Sequence, residues 1–200
     1  MDQVHGWFAY SLALAMAHHV HTHPEDKVVL YFSSGTLIQQ SRELLARKAV
    51  DWAADYSVWF DSDMRFPKDV ISTLIGHDKD IVGANYPTRK WPKIEPTSFT
   101  DDTTNTRCYT KEKSSGLEEV SSMGFGCIAV KTSVFEDLEE PWFLIPWSED
   151  FNEHDCGEDV YFCRLARDNG YKIYLDHDLS KKVKHIGNRE YSYLDVHGDH

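Results

Sequence analysis

Between residues 28 and 86 the chain alternates short apolar runs with helical stretches, and this alternation limits the fold more than any other feature. Residues 28–32 form a continuous apolar run of strand length, closed by the turn-forming Ser33, Ser34 and Gly35. Residues 37–54 read as a helix with Leu37, Ile38, Leu44, Leu45, Ala49 and Trp52 on a broad apolar face. Residues 56–60 give a second strand, Pro67 opens a helix through Ile75, and residues 80–86 give a third strand. Strands and helices in this order predict an α/β fold with a mostly parallel central sheet flanked by helices. Residues 7–19, rich in Ala, Leu and Met, form a helix expected to be buried. Only residues 2–5 precede it, so the opening strand of such a sheet is very short or missing.

Patterning collapses from Pro87 to Ser115 into Thr, Asp, Lys and Pro, as in a loop or weak strands beside a site. It returns at residues 118–122 and 127–130, split by Met123, Gly124, Phe125 and Gly126. Residues 157–169 form a helix that stops at Gly170, a natural residue to follow a helix end. Residues 172–175 are a last strand, and residues 183–186 are expected to join the same sheet. The 200 residues fit one domain, spanning 1–200.

A formal charge of −12 argues against a general nucleic-acid binder, because phosphate neutralisation needs clustered Lys and Arg, and leaves room only for a nucleic acid reached through a local basic patch. The four cysteines show no Cys-x-x-Cys pair, which suits reduced thiols in a cytoplasmic compartment. No apolar run approaches the roughly 20 residues of a membrane span.

The strand at residues 56–60 ends in two carboxylates, Asp61 and Asp63, with Ser62 between them. Carboxylates at that spacing can reach one divalent cation, and the rim of an open α/β sheet is where ligands collect. They also suit an acidic turn ahead of the helix at Pro67. Gly157, Glu158 and Asp159 open a helix, where acidic residues favour the dipole; either carboxylate could instead serve as a general base. Gly124 and Gly126 flank Phe125 as in a tight turn, or as backbone drawn close to a bound sugar. Arg42 reads as a residue of a solvated helix face, or as a partner of phosphate or of an acidic-loop aspartate. His18, His19, His21 and His23 mark a helix end running into a loop at Pro24. Serine chemistry, a Walker loop and a Rossmann fingerprint find no matching motif.

Taken in order, Ser41-Arg42, Trp59 to Asp63, Asp80 to Pro87, Met123 to Gly126, Gly157-Glu158-Asp159 and His185-Ile186-Gly187 resemble a glycosyltransferase of the GT-A fold. The likeness is to the small family-2-like enzymes of phages and bacteria, and it covers roughly residues 4 to 190. It implies a metal-dependent transferase that moves a sugar from a nucleotide-diphosphate donor, a UDP-sugar foremost, to an acceptor hydroxyl with inversion. Asp61, Asp63 and His185 would hold Mn2+ or Mg2+. Arg42, Asp61, Ser62 and Asp63 would bind the donor, Gly124, Phe125 and Gly126 the sugar or acceptor. Asp159, with Glu158 beside it, would supply the base. The acceptor stays open between a glycan and a modified nucleic acid, because residues 90–116 match no motif of the family. The rival readings are a nucleotidyltransferase of similar sheet architecture and a non-catalytic carbohydrate-binding or scaffold protein.

Overall fold

A computed structural model describes residues 4–149 and 153–196. Helix α1 (Gly6–Thr22) leads through a segment without helix or strand to α2 (Ile38–Asp51), β1 (Tyr56–Phe60) and β2 (Met64–Arg65). Next come α3 (Val70–Gly76), β3 (Ile81–Gly83), the hairpin β4 (Phe99–Asp101) and β5 (Thr106–Arg107), then β6 (Leu117–Val120), β7 (Cys127–Lys131) and α4 (Thr132–Asp137). The chain continues with β8 (Trp147–Ser148), β9 (Glu153–His154), α5 (Glu158–Asp168), β10 (Ile173–Asp176) and α6 (His177–Ser180). It closes with β11 (Lys184–Ile186), β12 (Glu190–Tyr191) and a 3-10 turn at Tyr193–Asp195.

The α/β class is as expected, but the central sheet is mostly antiparallel. Its order is β1-β7-β3-β10-β6, and only β3 and β10 pair in parallel. The alternating part of the chain does send β1 and β3 in one direction, and β10 runs the same way. What separates β1 from β3 is β7, whose residues Cys127 to Val130 are all buried. A strand apolar on both faces is driven to the sheet centre, and β7 runs against both neighbours. Charged Glu118 and Glu119 suit β6 to an edge, where they discourage further pairing.

Side chains alternate between two cores, one on each face of the sheet. Trp59, Ile81, Ile128, Val130 and Leu175 pack with an aromatic cluster that includes Phe135, Phe143 and Phe162 from the α4–α5 side. On the other face Val82 and Ala129 pack with Phe8 and Ala15 of α1 and with Leu74 of α3.

Four further expectations change. Residues 28–32 form no strand; Leu30 and Phe32 are more than half exposed, because no neighbouring strand pairs with them. Helix α1 buries only one stripe, Phe8, Ser11, Ala15 and His19, and leaves Trp7 and Tyr10 outside. Helix α2 is rotated from its apparent apolar face: Leu37, Ile38 and Leu44 are exposed, while Arg42, Ala46 and Ala49 are buried. Residues 183–186 do supply a strand, but β11 belongs to a separate small sheet of order β12-β11-β2. Asp2 and Gln3, part of the expected opening segment, lie outside the described residues.

Candidate functional site

The acidic turn is built by the end of β1. The Asp61 N–H donates to the Gly126 carbonyl at 3.2 Å, and the Met64 N–H donates back to the Asp61 carbonyl at 3.0 Å. This closes a turn with Ser62 exposed at its tip and both aspartates partly buried. Directly afterwards β2 pairs antiparallel with β11, with Met64 opposite His185 and Arg65 opposite Lys184. The Ile186 N–H donates to the Asp63 carbonyl at 2.7 Å. Backbone pairing therefore fixes His185 beside Asp63.

The imidazole is oriented as well as placed. Nδ1 of His185 lies 2.8 Å from the Pro87 carbonyl, which can only accept, so Nδ1 carries the proton. That leaves Nε2 facing Asp63 Oδ2 at 3.3 Å. Arg89 approaches the same carboxylate oxygen at 2.9 Å and donates to the Ile186 carbonyl. Burial raises the Asp63 carboxyl, but His185 and Arg89 outweigh it and hold the group below its usual range.

Arg42 is the second organising residue. It is buried, and its expected place on a solvated helix face is corrected. Nε donates to Glu158 Oε1 at 2.9 Å and a terminal nitrogen donates to Asp61 Oδ1 at 3.1 Å. The guanidinium lies over the Phe125 ring, 5.0 Å from its centre. Burial works against its charge, yet Asp61 and Glu158 more than offset this and strengthen its hold on the proton. Glu158, only 11% exposed at its side chain, is thereby committed to an ion pair, which removes it as a free base.

Asp159 points elsewhere, as residues 100° apart around a helix must. Its Oδ1 accepts from the Val160 N–H at 2.8 Å. Burial, followed by the Glu158 carboxylate, pushes it up to about 6. The helix dipole that should favour its ionised form is thus overcome by desolvation.

Gly124, Phe125 and Gly126 serve the core. The Phe125 ring is fully buried against Trp59, Phe143 and Phe162, so it cannot touch a sugar. The glycines make room for Tyr86: a Cβ on Gly126 would stand 2.6 Å from its Cζ, and one on Gly124 would collide with its hydroxyl. That hydroxyl accepts from the Gly126 N–H at 2.9 Å. Burial, with Asp61 and Asp159 nearby, raises the Tyr86 phenol well above its usual range and keeps it neutral.

The geometry fits a cation at part of the expected ligand set. Asp63 and His185 converge with the imidazole tautomer a metal requires. Asp61 turns to Arg42 instead, and among the described residues these three do not bring their ligand atoms within 4.8 Å of one another. A cleft of about 320 Å³ opens along the first turn of α2, between Ser33–Leu37 and the side chains of Gln40, Ser41 and Leu44; no acidic residue lines it. The histidines at the end of α1 lie apart, with His19 held between Ser72 and Asp26.

Two residues had no assigned role in the sequence. Tyr86 lies between Asp80 and Pro87, and the glycines that accommodate it are about 40 residues away, so nothing local marked it. Arg89 follows two residues after Pro87 in a segment without periodicity, and nothing local marks it.

No family model matches the chain, and no curated protein matches it. Among solved structures it is similar to A197 from STIV, with a TM-score of 0.60 and 19% identity over 94% of this chain and 88% of that one. The likeness is one of fold. No described helix is long and apolar enough to cross a membrane, and all four cysteines are free thiols.

Proposed function

We propose that this protein is a glycosyltransferase of GT-A type that moves a sugar from a nucleoside-diphosphate donor to an acceptor hydroxyl. The observation that carries the reading is the Arg42 bridge, one guanidinium joining the acidic turn at Asp61 to Glu158, the neighbour of Asp159. Donor-binding and proton-accepting groups from distant segments thus become one constellation. Its A197-like fold is compatible with this reading and adds no activity of its own.

Asp63 and His185 would hold a divalent cation, Mn2+ or Mg2+. A cation there supplies the positive charge that a diphosphate beside two carboxylates otherwise lacks. Arg42 and Arg89 would each offer an N–H to phosphate oxygens in exchange for a carboxylate contact. Asp159, poised near 6, is mostly ionised at neutral pH and still basic enough to take the proton of an attacking hydroxyl. Glu158 acts through Arg42 and keeps that guanidinium in place. Inversion at the anomeric carbon follows from direct attack, with Asp159 as the base.

Calorimetry with uridine and guanosine diphosphates, in Mn2+ and in chelator, tests the reading. Binding that needs the cation in the wild type and is lost in Asp63→Asn is the expected result. Equal affinity in both conditions removes the metal role. No binding of either diphosphate favours the scaffold reading.

A further inference from the structure

Away from the acidic turn, Cys108, Glu118 and His177 bring a thiol, a carboxylate and an imidazole nitrogen within 4.8 Å of one another. They come from three separate places: Cys108 just after β5, Glu118 on the edge strand β6, and His177 at the first position of α6. Cys108 and His177 are buried, whereas the Glu118 side chain is 46% exposed and leaves the cluster a way in from solvent.

The imidazole is held in a ligand's orientation. His177 Nδ1 lies 3.0 Å from the Thr110 hydroxyl, and Nε2 faces Glu118 Oε2 at 2.8 Å. A second partner on the far ring nitrogen is the usual support of a metal-bound histidine. The surrounding backbone is also fixed. The Asn85 side-chain amide donates to the Cys108 carbonyl at 2.9 Å, and the Asn85 N–H donates to the Ser180 hydroxyl at 2.8 Å. Asn85 thereby pins the cysteine segment and α6 to the end of β3.

We propose that Cys108, Glu118 and His177 form a second metal site, selective for a zinc-like transition metal, that cross-links residues 106–110 to the edge of the sheet. Sulfur, nitrogen and one carboxylate oxygen are a donor set for Zn2+ rather than for Mg2+ or Ca2+. Tetrahedral coordination at zinc distances needs ligand atoms roughly 3.3–3.8 Å apart. The His177–Glu118 contact must therefore open by about half an ångström, which an exposed glutamate permits. Water would complete the fourth position. Burial, with Glu118 second, pushes the Cys108 thiol up to about 12, so the metal-free cluster holds a proton that metal displaces to solvent. His177 follows β10 and Asp61 follows β1, three strand spacings away across the sheet, about 15 Å. The inference does not depend on the sugar-transfer reading.

The test uses Co2+ as a spectroscopic probe on the reduced, full-length protein. One equivalent should produce a thiolate-to-cobalt charge-transfer band in the near ultraviolet, in the wild type and equally in Asp63→Asn. The band should vanish in Cys108→Ser. Because Cys108 is buried, Glu118→Gln is the second variant: its exposed side chain spares the fold, and Co2+ affinity should fall about tenfold or more, the scale of losing a coordinating or supporting group. No thiolate band in the wild type would reduce the cluster to hydrogen bonds alone. A band that survives in Cys108→Ser, or an unchanged affinity in Glu118→Gln, would equally overturn the site.

Discussion

His185 meets Asp63 because the strand after the acidic turn pairs with the strand that carries the histidine. Met64 sits opposite His185, and Ile186 donates to the Asp63 carbonyl. The side-chain contact at 3.3 Å is therefore set by backbone register, and the Pro87 carbonyl fixes which ring nitrogen faces the carboxylate. A site so constrained loses little entropy on taking a cation. Mn2+ should raise the melting temperature of the wild type and have much less effect on His185→Ala or Asp63→Asn. Differential scanning fluorimetry reads this, and an equal shift in all three proteins would place the ion elsewhere.

Arg42→Met should be among the most destabilising substitutions in the chain. It leaves the Glu158 carboxylate buried without its partner, which costs about 3–5 kcal/mol in comparable pairs. Adding Glu158→Met should recover part of the loss, since an apolar pair carries no stranded charge. Urea unfolding of the two single variants and the double gives the coupling. A loss below about 1 kcal/mol in Arg42→Met, the size of an exposed pair, would mean that solvent reaches this contact.

Asp159 makes stability depend on pH in a particular direction. Its folded pKa of about 6 lies above the ordinary 3.8, so the folded chain binds this proton more tightly than the unfolded one. The contribution is fully present below about pH 4 and is lost as pH rises through about 6. About two units amount to an order of 2–3 kcal/mol. Asp159→Asn should thus gain on the wild type by that amount between pH 4 and pH 7.5, read from urea midpoints at both. A constant difference across this range would show that Asp159 titrates as an exposed carboxylate.

The same variant should lose sugar transfer by on the order of 10²-fold or more while still binding the diphosphate, the usual weight of a positioned base. Wild-type turnover should climb with pH through about 6 as Asp159 ionises. Glu158→Gln should disturb stability and donor binding, and by removing the charge beside Asp159 it should also move the rise in turnover to lower pH. Full turnover in Asp159→Asn would remove it from the chemistry.

Gly126→Ala should destabilise through Tyr86. The added Cβ would stand 2.6 Å from Cζ and 2.7 Å from the hydroxyl of a fully packed ring. Overpacking of this kind costs about 1–3 kcal/mol. Thermal unfolding measures it, and a neutral result would mean that the Tyr86 ring can move.

The sequence exposed those parts of the site that are local. A strand ending in Asp61 and Asp63, a helix opening at Glu158 and a stop at Gly170 are each written in a few adjacent residues, and each occurs where expected. Relations that depend on which strand inserts where were hidden. The position of β7 between β1 and β3 follows from its being apolar on both faces, and short apolar runs do not announce their direction. Arg42 looked solvated because its neighbours Leu37, Ile38 and Leu44 suggested the wrong buried face. Two buried or half-buried carboxylates far along the chain turned the helix toward them. The segment from residue 87 to 115 looked shapeless because its anchors are distant: Asp102, whose side chain is almost fully buried, is gripped by Arg164 and Arg167 of α5.

Arg42 has a finite set of N–H groups, and two of its nitrogens already have acceptors at Glu158 and Asp61. Any ligand that draws Asp61 toward itself leaves an Arg42 N–H without its acceptor, and a buried donor does not stay idle at low cost. The freed group can be satisfied by the anion that arrives with the ligand. Arg42 would then behave as an exchanger, trading a carboxylate of the protein for a phosphate oxygen at nearly constant hydrogen-bond count. Glu158 would keep its grip throughout, so occupation of the donor side would be felt at the start of α5 without any helix having to move.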